Sequence, residues 1–561
     1  MGRSGNRIGY KVFSINTTVR NPKRNRDFLV AFKPFDGKVF DDNCSRQYLY
    51  DLVKKGIYQM NDIPEYVKQK WEQNIDLSQE EIVKIIQDNP QATGLHGRVM
   101  TQLRSLREQG FLIFEGRKIT ITSLGNDLID NIKDPTAIYT KAMLGLHANS
   151  IARPKILNKA RPFLNTLFTI DEVNRQWEEL GNEPKGILFH EFAAFVLSMK
   201  DCDYHNAAVK IIEYRQQFRF KIDREYIENY LERNNILSIE FDSLVKDYPD
   251  DVFRKFEMTG LLTKHGSYQY VYINFSKYNY SKVQTILQRY KNYKSENFSS
   301  VPDYYKFLEQ QVIPWETDEF IRKKVISEKA KVLGIELNSQ YTIEEKEEML
   351  DQIFYSHALE KAVQRYDYSF ITKELQILAG TKKGKSELNS ISEPLRLEYL
   401  LALYFGKKYG LKGLVSNIKY NEDGEPLHCA AGGKSDILFI NDCGSYILEP
   451  TMITSKAQQL NNETSNIVRH VQDEEQRTKL IYRVMMIAPK VHRDITDFFQ
   501  YKADKENVHI IPITIERTIG LFKESNILSD LGINYDQILQ ILLEKSPQEY
   551  SDKMNEYRVE A

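Results

Sequence analysis

Asp436 and Glu449 are the residues of this sequence whose types and spacing speak most directly of chemistry. They close the two ends of a stretch in which apolar runs, 436–440 and 445–449, flank Asn441, Asp442, Cys443 and Gly444. That pattern predicts an antiparallel β-hairpin. With the turn centred between Asp442 and Cys443, Asp436 falls directly opposite Glu449. Opposed side chains on one face lie roughly 5 Å apart, so two carboxylates there repel unless a positive group stands between them. A divalent cation held by oxygen donors meets that need.

Two more acids fit the same place. Thr451 shares a strand face with Glu449, because strand side chains alternate. The segment 454–476 then reads as a helix with Gln459, Glu463, Asn466 and His470 along one side. Leu460, Ile467, Val468 and Val471 lie on the other, which would set Glu463 over the hairpin. Upstream, 393–410 reads as a helix with Glu398 on its apolar stripe, among Leu395, Leu401, Ala402 and Phe405. A carboxylate on a buried face is costly unless it is paired or metal-bound. An isolated acid is most often a surface or capping residue. Four in mutually consistent positions point instead to a site.

The order helix, hairpin, helix with Asp436 and Glu449 resembles the cleavage core of PD-(D/E)XK nucleases. More specifically, His428 to Asp436 (His-Cys-Ala-Ala-Gly-Gly-Lys-Ser-Asp), Glu449-Pro-Thr451 and Glu463 to His470 (Glu-Thr-Ser-Asn-Ile-Val-Arg-His) are similar to the AlwI-type family of type IIS restriction endonucleases and related nicking enzymes. Thr17 to Arg24 (Thr-Thr-Val-Arg-Asn-Pro-Lys-Arg) is similar to that family's opening motif. The resemblance implies a Mg²⁺-dependent type II site-specific deoxyribonuclease, with Mn²⁺ able to substitute. It would recognise a short asymmetric double-stranded DNA site and cut a few bases outside it. The implied catalytic set is Glu398, Asp436, Glu449 and Glu463, with the metal on Asp436, Glu449 and Glu463. His470 and Lys456 would lie just behind them. The third position of the general nuclease motif, usually Lys, is Thr451 here, so the group that activates water stays open. Implied partners are a cognate DNA methyltransferase and either a transient homodimer or a small subunit, meeting through the cleavage domain. A strand-specific nicking enzyme or the large subunit of a heterodimeric enzyme is the nearest alternative. A non-catalytic winged-helix regulator is the next.

The elements that would position this site fill a long chain. At 561 residues several domains are expected. Hydrophobic content of 41% and charged content of 28% fit an ordinary globular protein, and a net charge of −1 averages over the chain. Four widely spaced cysteines suggest neither a disulfide framework nor a zinc site. Neither a signal peptide nor an apolar run long enough to span a membrane is apparent, so a cytoplasmic setting is expected, a bacterial one by the resemblance.

Residues 1–34 carry eight Lys or Arg against one acid. This is either a solvated arm or a phosphate-contacting segment that includes Arg20, Lys23 and Arg24. Next, 77–87 opens with a capping-box pattern at Ser78 and Glu81. A second helix, 95–109, presents Arg98, Gln102, Arg104 and Arg107. A hairpin at 110–122 then turns at Glu115-Gly116-Arg117. Helix, helix and wing predict a winged helix, its second helix in the major groove and Arg117 and Lys118 on phosphate; a protein-contact winged helix is the alternative. The pattern recurs more weakly over 237–273. Gly380 to Ser386 (Gly-Thr-Lys-Lys-Gly-Lys-Ser) looks like a phosphate loop, but its glycines are one position too close for an NTPase.

The expected organisation is therefore multidomain α+β. A recognition region with a winged helix spans 1–165, and a second α-rich recognition subdomain spans 166–300. A helical connector over 301–388 leads to an α/β PD-(D/E)XK-like cleavage domain over 389–561, with the residues after Pro547 frayed.

Overall fold

The computed structural model describes residues 21–559 except 55–56, 58–63, 65, 68–69, 71–74, 76, 89–94, 149–159, 235–239, 267–269, 390, 430–433, 455 and 457–458. Arg20, Tyr268 and the glycines of the His428–Asp436 motif lie outside the described residues. The chain forms two compact units, Met1–Met60 with Ile86–Leu350, and Asn61–Ile85 with Asp351–Ala561.

The first unit contains the same short topology twice. In the first instance α1 (Asn25–Phe32) leads to β1 (Lys38–Val39) and α2 (Asp42–Lys54). After a long interval come α3 (Leu95–Glu108), β2 (Leu112–Glu115) and β3 (Lys118–Ile121). The three strands pair antiparallel in the order β1-β3-β2. In the second, α4 (Pro162–Glu179), β4 (Ile187–Leu188) and a helical turn over 189–196 precede α5 (Tyr248–Glu257), β5 (Leu262–His265) and β6 (Tyr272–Phe275). Their strand order is β4-β6-β5.

The expected helix partner differs in the first instance. Among the described residues α3 packs against α2, within its own unit, whereas the capping-box helix Gln79–Asp88 belongs to the long interval between α2 and α3. Its cap is as the sequence indicates: Ser78 N–H donates to Glu81 at 2.8 Å, and Glu81 N–H to Ser78 Oγ at 3.2 Å.

Rings of Phe32, Phe35, Phe40 and Tyr48 close the small core around α1 and α2. Beside it lies a buried polar knot. Asn25 donates to Gln109 and to the Tyr139 hydroxyl, both at 2.8 Å, and Tyr139 donates to the Pro22 carbonyl at 2.8 Å. Around the second module Arg215 is wholly buried, bidentate on Glu191 at 2.7 and 2.8 Å. Arg215 Nη2 also donates to the Gly186 carbonyl at 2.6 Å, which helps offset the cost of burying the pair.

The segment expected as a connector divides. Val301–Glu309 packs with the first module, where the Tyr305 hydroxyl donates to the Arg107 carbonyl at 3.1 Å. The boundary between the units falls inside α6 (Ile343–Arg365). Ala358, Leu359 and Ala362 of α6, with Ile371, Leu375 and Leu378 of α7 (Tyr368–Leu378), share one core with the C-terminal sheet.

That sheet organises the second unit. α8 (Glu393–Tyr409) leads to β7 (Leu414–Ser416), where the extended segment breaks. β8 (Ile418–Tyr420) leaves to pair with β9 (Pro426–Cys429) in a separate ribbon. β10 (Ile437–Asn441), β11 (Gly444–Pro450), α9 (Thr464–Thr478), β12 (Arg483–Ala488), α10 (Arg493–Glu506) and β13 (Ile510–Thr514) follow. The strand order is β13-β12-β11-β10-β7. β7, β10 and β11 run antiparallel, while β11, β12 and β13 are parallel. Gly413 enters β7 at a φ of +89°, in the left-handed region that favours glycine, and an added Cβ would strike the Ile440 carbonyl.

Period-two alternation sorts the strand residues between two cores. Ile437, Phe439, Tyr446 and Leu448 face α8 and the C-terminal helices α11 (Ile515–Glu524) and α12 (Leu528–Glu544). Leu438, Ile447, Val484 and Met486 face α9 and α10. The tail after Pro547 is ordered, against expectation. α13 (Pro547–Glu556) starts with a capping box of Ser546 and Glu549 and buries Tyr550 and Met554, one turn apart. Among the described residues no helix is long and apolar enough to cross a membrane.

Candidate active site

The hairpin has the register its turn residues dictate. Ile437 pairs with Leu448, and pairing continues to Asn441 with Gly444. Asn441 Oδ1 caps the turn by accepting the Cys443 N–H at 2.8 Å. One step out from Ile437 and Leu448 stand Asp436 and Glu449. Alternation puts both on the α9 side of the sheet. There His470 of α9 meets Glu449, Nδ1 to Oε1 3.3 Å.

Glu463 caps α9 at the end of a wide helical turn, Gln459–Glu463. Burial and Glu449 raise the Glu463 carboxyl, and the Thr451 side chain lowers it by less. Thr451 stands where the general motif has Lys, and its hydroxyl accepts the Ile453 N–H at 3.1 Å. Its own N–H bonds the Ile487 carbonyl at 2.8 Å, which fixes it to the sheet edge.

Glu398 comes from the opposite layer. It lies on α8 at 7% exposure, among Leu397, Leu401 and Ala402. The Cys429 thiol at the end of β9 spans both its oxygens, at 3.1 and 3.3 Å. Cys429 is not among the residues expected from sequence. Its position just before the glycines of the His428–Asp436 motif is the available signal, masked because a half-buried cysteine resembles any small apolar residue.

These acids feel one another. Burial raises the Glu398 carboxyl to about 7, with Glu449 and Glu463 adding to the shift. Burial also lifts Asp436 well above the ordinary carboxylate range, helped by repulsion from Glu398, Glu449 and Glu463. Glu449 and Glu463 are raised for the same first reason. Glu449 is partly relieved by His470, whose own pKa its carboxylate raises. The cluster is thus a desolvated negative site with a single imidazole against it among the described residues.

The other expected residues sort clearly. Lys456 is exposed and pairs with Asp494 at 2.7 Å, away from the acids. Gln459 is not on the polar stripe. The wide turn adds a residue to the helical repeat and carries it inward, where its amide donates to the Ile453 and Lys490 carbonyls. Asn466 is exposed.

In the front unit Arg104, Arg117 and Lys118 are exposed, and Lys23 is half-buried. Arg98 lies in α3, its side chain outside the described residues. Gln102 is buried at 4% exposure, not presented to solvent. It stands three residues after Val99 and four before Leu106, which puts it on the apolar stripe. Arg24 turns inward, donating to the Ile57 carbonyl at 2.5 Å and lying over the Phe28 ring.

The model of the AlwI restriction endonuclease family matches residues 107–521, which contain all four acids. This chain belongs to the AlwI restriction endonuclease family. As an AlwI-family member it is a site-specific deoxyribonuclease. Two solved structures of restriction enzymes are similar at low identity. The small subunit (R.BspD6I2) of the heterodimeric restriction endonuclease R.BspD6I is 19% identical, covering 33% of this chain and 94% of its own, with a TM-score of 0.28. Restriction endonuclease FokI is 12% identical, covering 94% of this chain and 99% of its own, with a TM-score of 0.23. No curated protein matches.

Among the described residues no three His, Cys, Asp or Glu side chains are gathered closely enough to hold a metal. The donor chemistry of the candidate site nonetheless fits a hard divalent cation. All four acids offer oxygen, they are desolvated, and their mutual repulsion is what such an ion relieves.

Cys429 gives this site a test of its own. Cys429→Ala should lower the cleavage rate about 3- to 10-fold, the net worth of one ordinary hydrogen bond. Cys429→Ser should recover most of it. DNA affinity should not change. Equal rates for the alanine variant and the native enzyme, across pH 6 to 9, would remove Cys429 from the site.

Proposed function

We propose that the chain is a type IIS restriction endonuclease that reads a short asymmetric site with its front unit and hydrolyses a phosphodiester a few bases away with its rear unit. The observation that carries this is that Asp436 and Glu449 stand one step beyond the Ile437–Leu448 pair and that each raises, or is raised by, the carboxyls of Glu398 and Glu463. Their sequence context supports a PD-(D/E)XK cleavage domain over 389–561. The front modules each have a helix, short strand, helix, helix and hairpin with strand order 1-3-2, which supports reading them as winged helices. In the first, α3 would enter the major groove with Arg104, and Arg117 and Lys118 on the wing would follow phosphate. We take the first module, in the expected region 1–165, and the second, whose α4 begins at Pro162 and so straddles the expected boundary at 166, as the recognition part of the chain.

Asp436 and Glu449 would hold Mg²⁺ between them, with Glu463 completing the oxygen set and Mn²⁺ an acceptable substitute. When bound, the ion lowers the pKa of water and offsets charge on the scissile phosphate. The chain's own groups do the rest. The Cys429 thiol holds Glu398 in orientation. Glu398, with a carboxyl near neutrality, can accept a proton from water at physiological pH. His470 steadies Glu449. One such centre cuts one strand per engagement, so a double-strand break calls for two cleavage domains, most simply paired by two-fold symmetry. A host of such an enzyme would carry a matching DNA methyltransferase.

Digesting a supercoiled plasmid with Mg²⁺ and sequencing the ends tests the proposal. Cuts should lie at a constant offset from one short asymmetric sequence, with nicked circles preceding linear product and EDTA abolishing both. Ends scattered without a common sequence would refute site recognition. Nicked circles that never become linear would assign single-strand cutting instead.

A further inference from the structure

The lysine loop Thr381–Lys385, unsuited to an NTPase by its glycine spacing, finds a different use in the fold. Lys382, Lys383 and Lys385 are all exposed, and none forms an ion pair with a described residue. The loop is nevertheless held at both ends by buried carboxylates. The Thr381 hydroxyl donates to Glu516, which is 3% exposed. The Ser386 hydroxyl donates to Glu374, fully buried, which also accepts the Glu387 N–H at 3.1 Å. A run of lysines that is merely solvated needs no such tethers. Three like charges fixed within four residues repel one another, and a polyanion relieves that repulsion.

Position selects the polyanion. β11, β12 and β13 are parallel and in step, with Glu449 beside Met486 and Met486 beside Pro512. Their C-terminal ends therefore share one edge. Glu449 marks it on β11. Lys490, exposed and without an ion-pair partner among the described residues, lies two residues past β12. Glu516, which tethers the loop, lies two residues past β13. Neighbouring strands are about 4.8 Å apart, so the strand end that leads into the tether is displaced about 10 Å sideways from that of Glu449. That is about three nucleotides of axial rise along one DNA strand.

We infer that Lys382, Lys383 and Lys385, with Lys490 between them and the acids, form a phosphate track that grips substrate DNA about three nucleotides to one side of the scissile bond. The inference rests on the nuclease reading above. It gives the cleavage unit its own sequence-independent hold on DNA, apart from recognition in the front unit.

The test uses the full-length chain and the variant K382Q/K383Q/K385Q. Plasmid cleavage with Mg²⁺ is followed against NaCl on logarithmic axes. Every lysine–phosphate pair removed makes the slope shallower by about 0.9, so the variant's slope should be shallower by about 1 to 3, with a rate about tenfold lower at 150 mM NaCl. Binding of a short duplex that carries the recognition sequence but ends at the cut should be unchanged. Identical slopes and rates for the two proteins would overturn the track. Weakened binding of the trimmed duplex would overturn it too, placing the lysines in recognition. A native chain that cuts no DNA would refute the nuclease reading instead. The track is then judged by binding to a long mixed-sequence duplex in Ca²⁺, where the same slope change is expected and its absence is decisive.

Discussion

Asp436→Asn and Glu449→Gln are each expected to reduce DNA cleavage at least about 10³-fold while leaving site-specific binding within about twofold of native. The size follows from removing a ligand to the ion that both generates the nucleophile and offsets transition-state charge. The selectivity follows from geometry. Both changes are isosteric and sit at the mouth of the hairpin, one step beyond the last ladder pair, Ile437 with Leu448. Each also removes a negative charge from a cluster whose members repel, so the fold loses nothing it depends on. Single-turnover plasmid cleavage gives the first quantity, and fluorescence anisotropy on a labelled duplex in Ca²⁺ gives the second. Lys456→Ala provides the contrast, because its partner is Asp494 and its expected effect is below threefold, in keeping with an exposed ion pair. Cleavage by either acid variant within tenfold of native would dismantle the site.

The hairpin is legible in the sequence because two independent local rules agree there. Turn chemistry at Asn441 to Gly444 sets the register, and alternation sets the face. Glu398 is legible from helical spacing alone. The differences share one origin, interactions between residues far apart in sequence or a departure from ideal periodicity. Gln459 falls off the polar stripe because the turn over 459–463 is wider than an α-helical one. The first front module takes a different helix from the expected one because 40 residues separate Lys54 from Leu95, and the true partner of α3 lies before that interval. The polarity of Gln102 suggests exposure, although its spacing from Val99 and Leu106 marks it as buried. The tail offers Ser546 with Glu549 and Tyr550 with Met554, a cap and a stripe. Its polar composition argues against order, while packing against the sheet edge decides the fold, as the Tyr550 hydroxyl donating to the Pro512 carbonyl at 3.0 Å shows.

The cluster's charge also makes a prediction about stability. Glu398 has a folded pKa of about 7, raised from the ordinary 4.5 chiefly by burial. A group whose pKa is raised on folding favours the fold while protonated. Its contribution is complete below about pH 4 and is lost as pH rises through about 7. Asp436, Glu449 and Glu463 shift in the same direction, and so does His470 through its hydrogen bond to Glu449. The metal-free enzyme should therefore lose stability between about pH 4.5 and 7.5. Glu398→Gln, which stays neutral, should be the more stable protein at pH 8 by up to about 3 kcal/mol, the equivalent of the Glu398 shift. At pH 4.5 the two should melt alike. Millimolar Mg²⁺ should raise the native melting temperature at pH 8, since a ligand that binds only the folded state stabilises it by mass action. It should do far less at pH 5, where the carboxyls are protonated, and little for Asp436→Asn at either pH. Melting curves of the three proteins over pH 4.5 to 8, with EDTA or Mg²⁺, measure all of this. Parallel pH profiles for the native chain and Glu398→Gln would show that these carboxylates are solvated and that the cluster stores no repulsion for a cation to relieve.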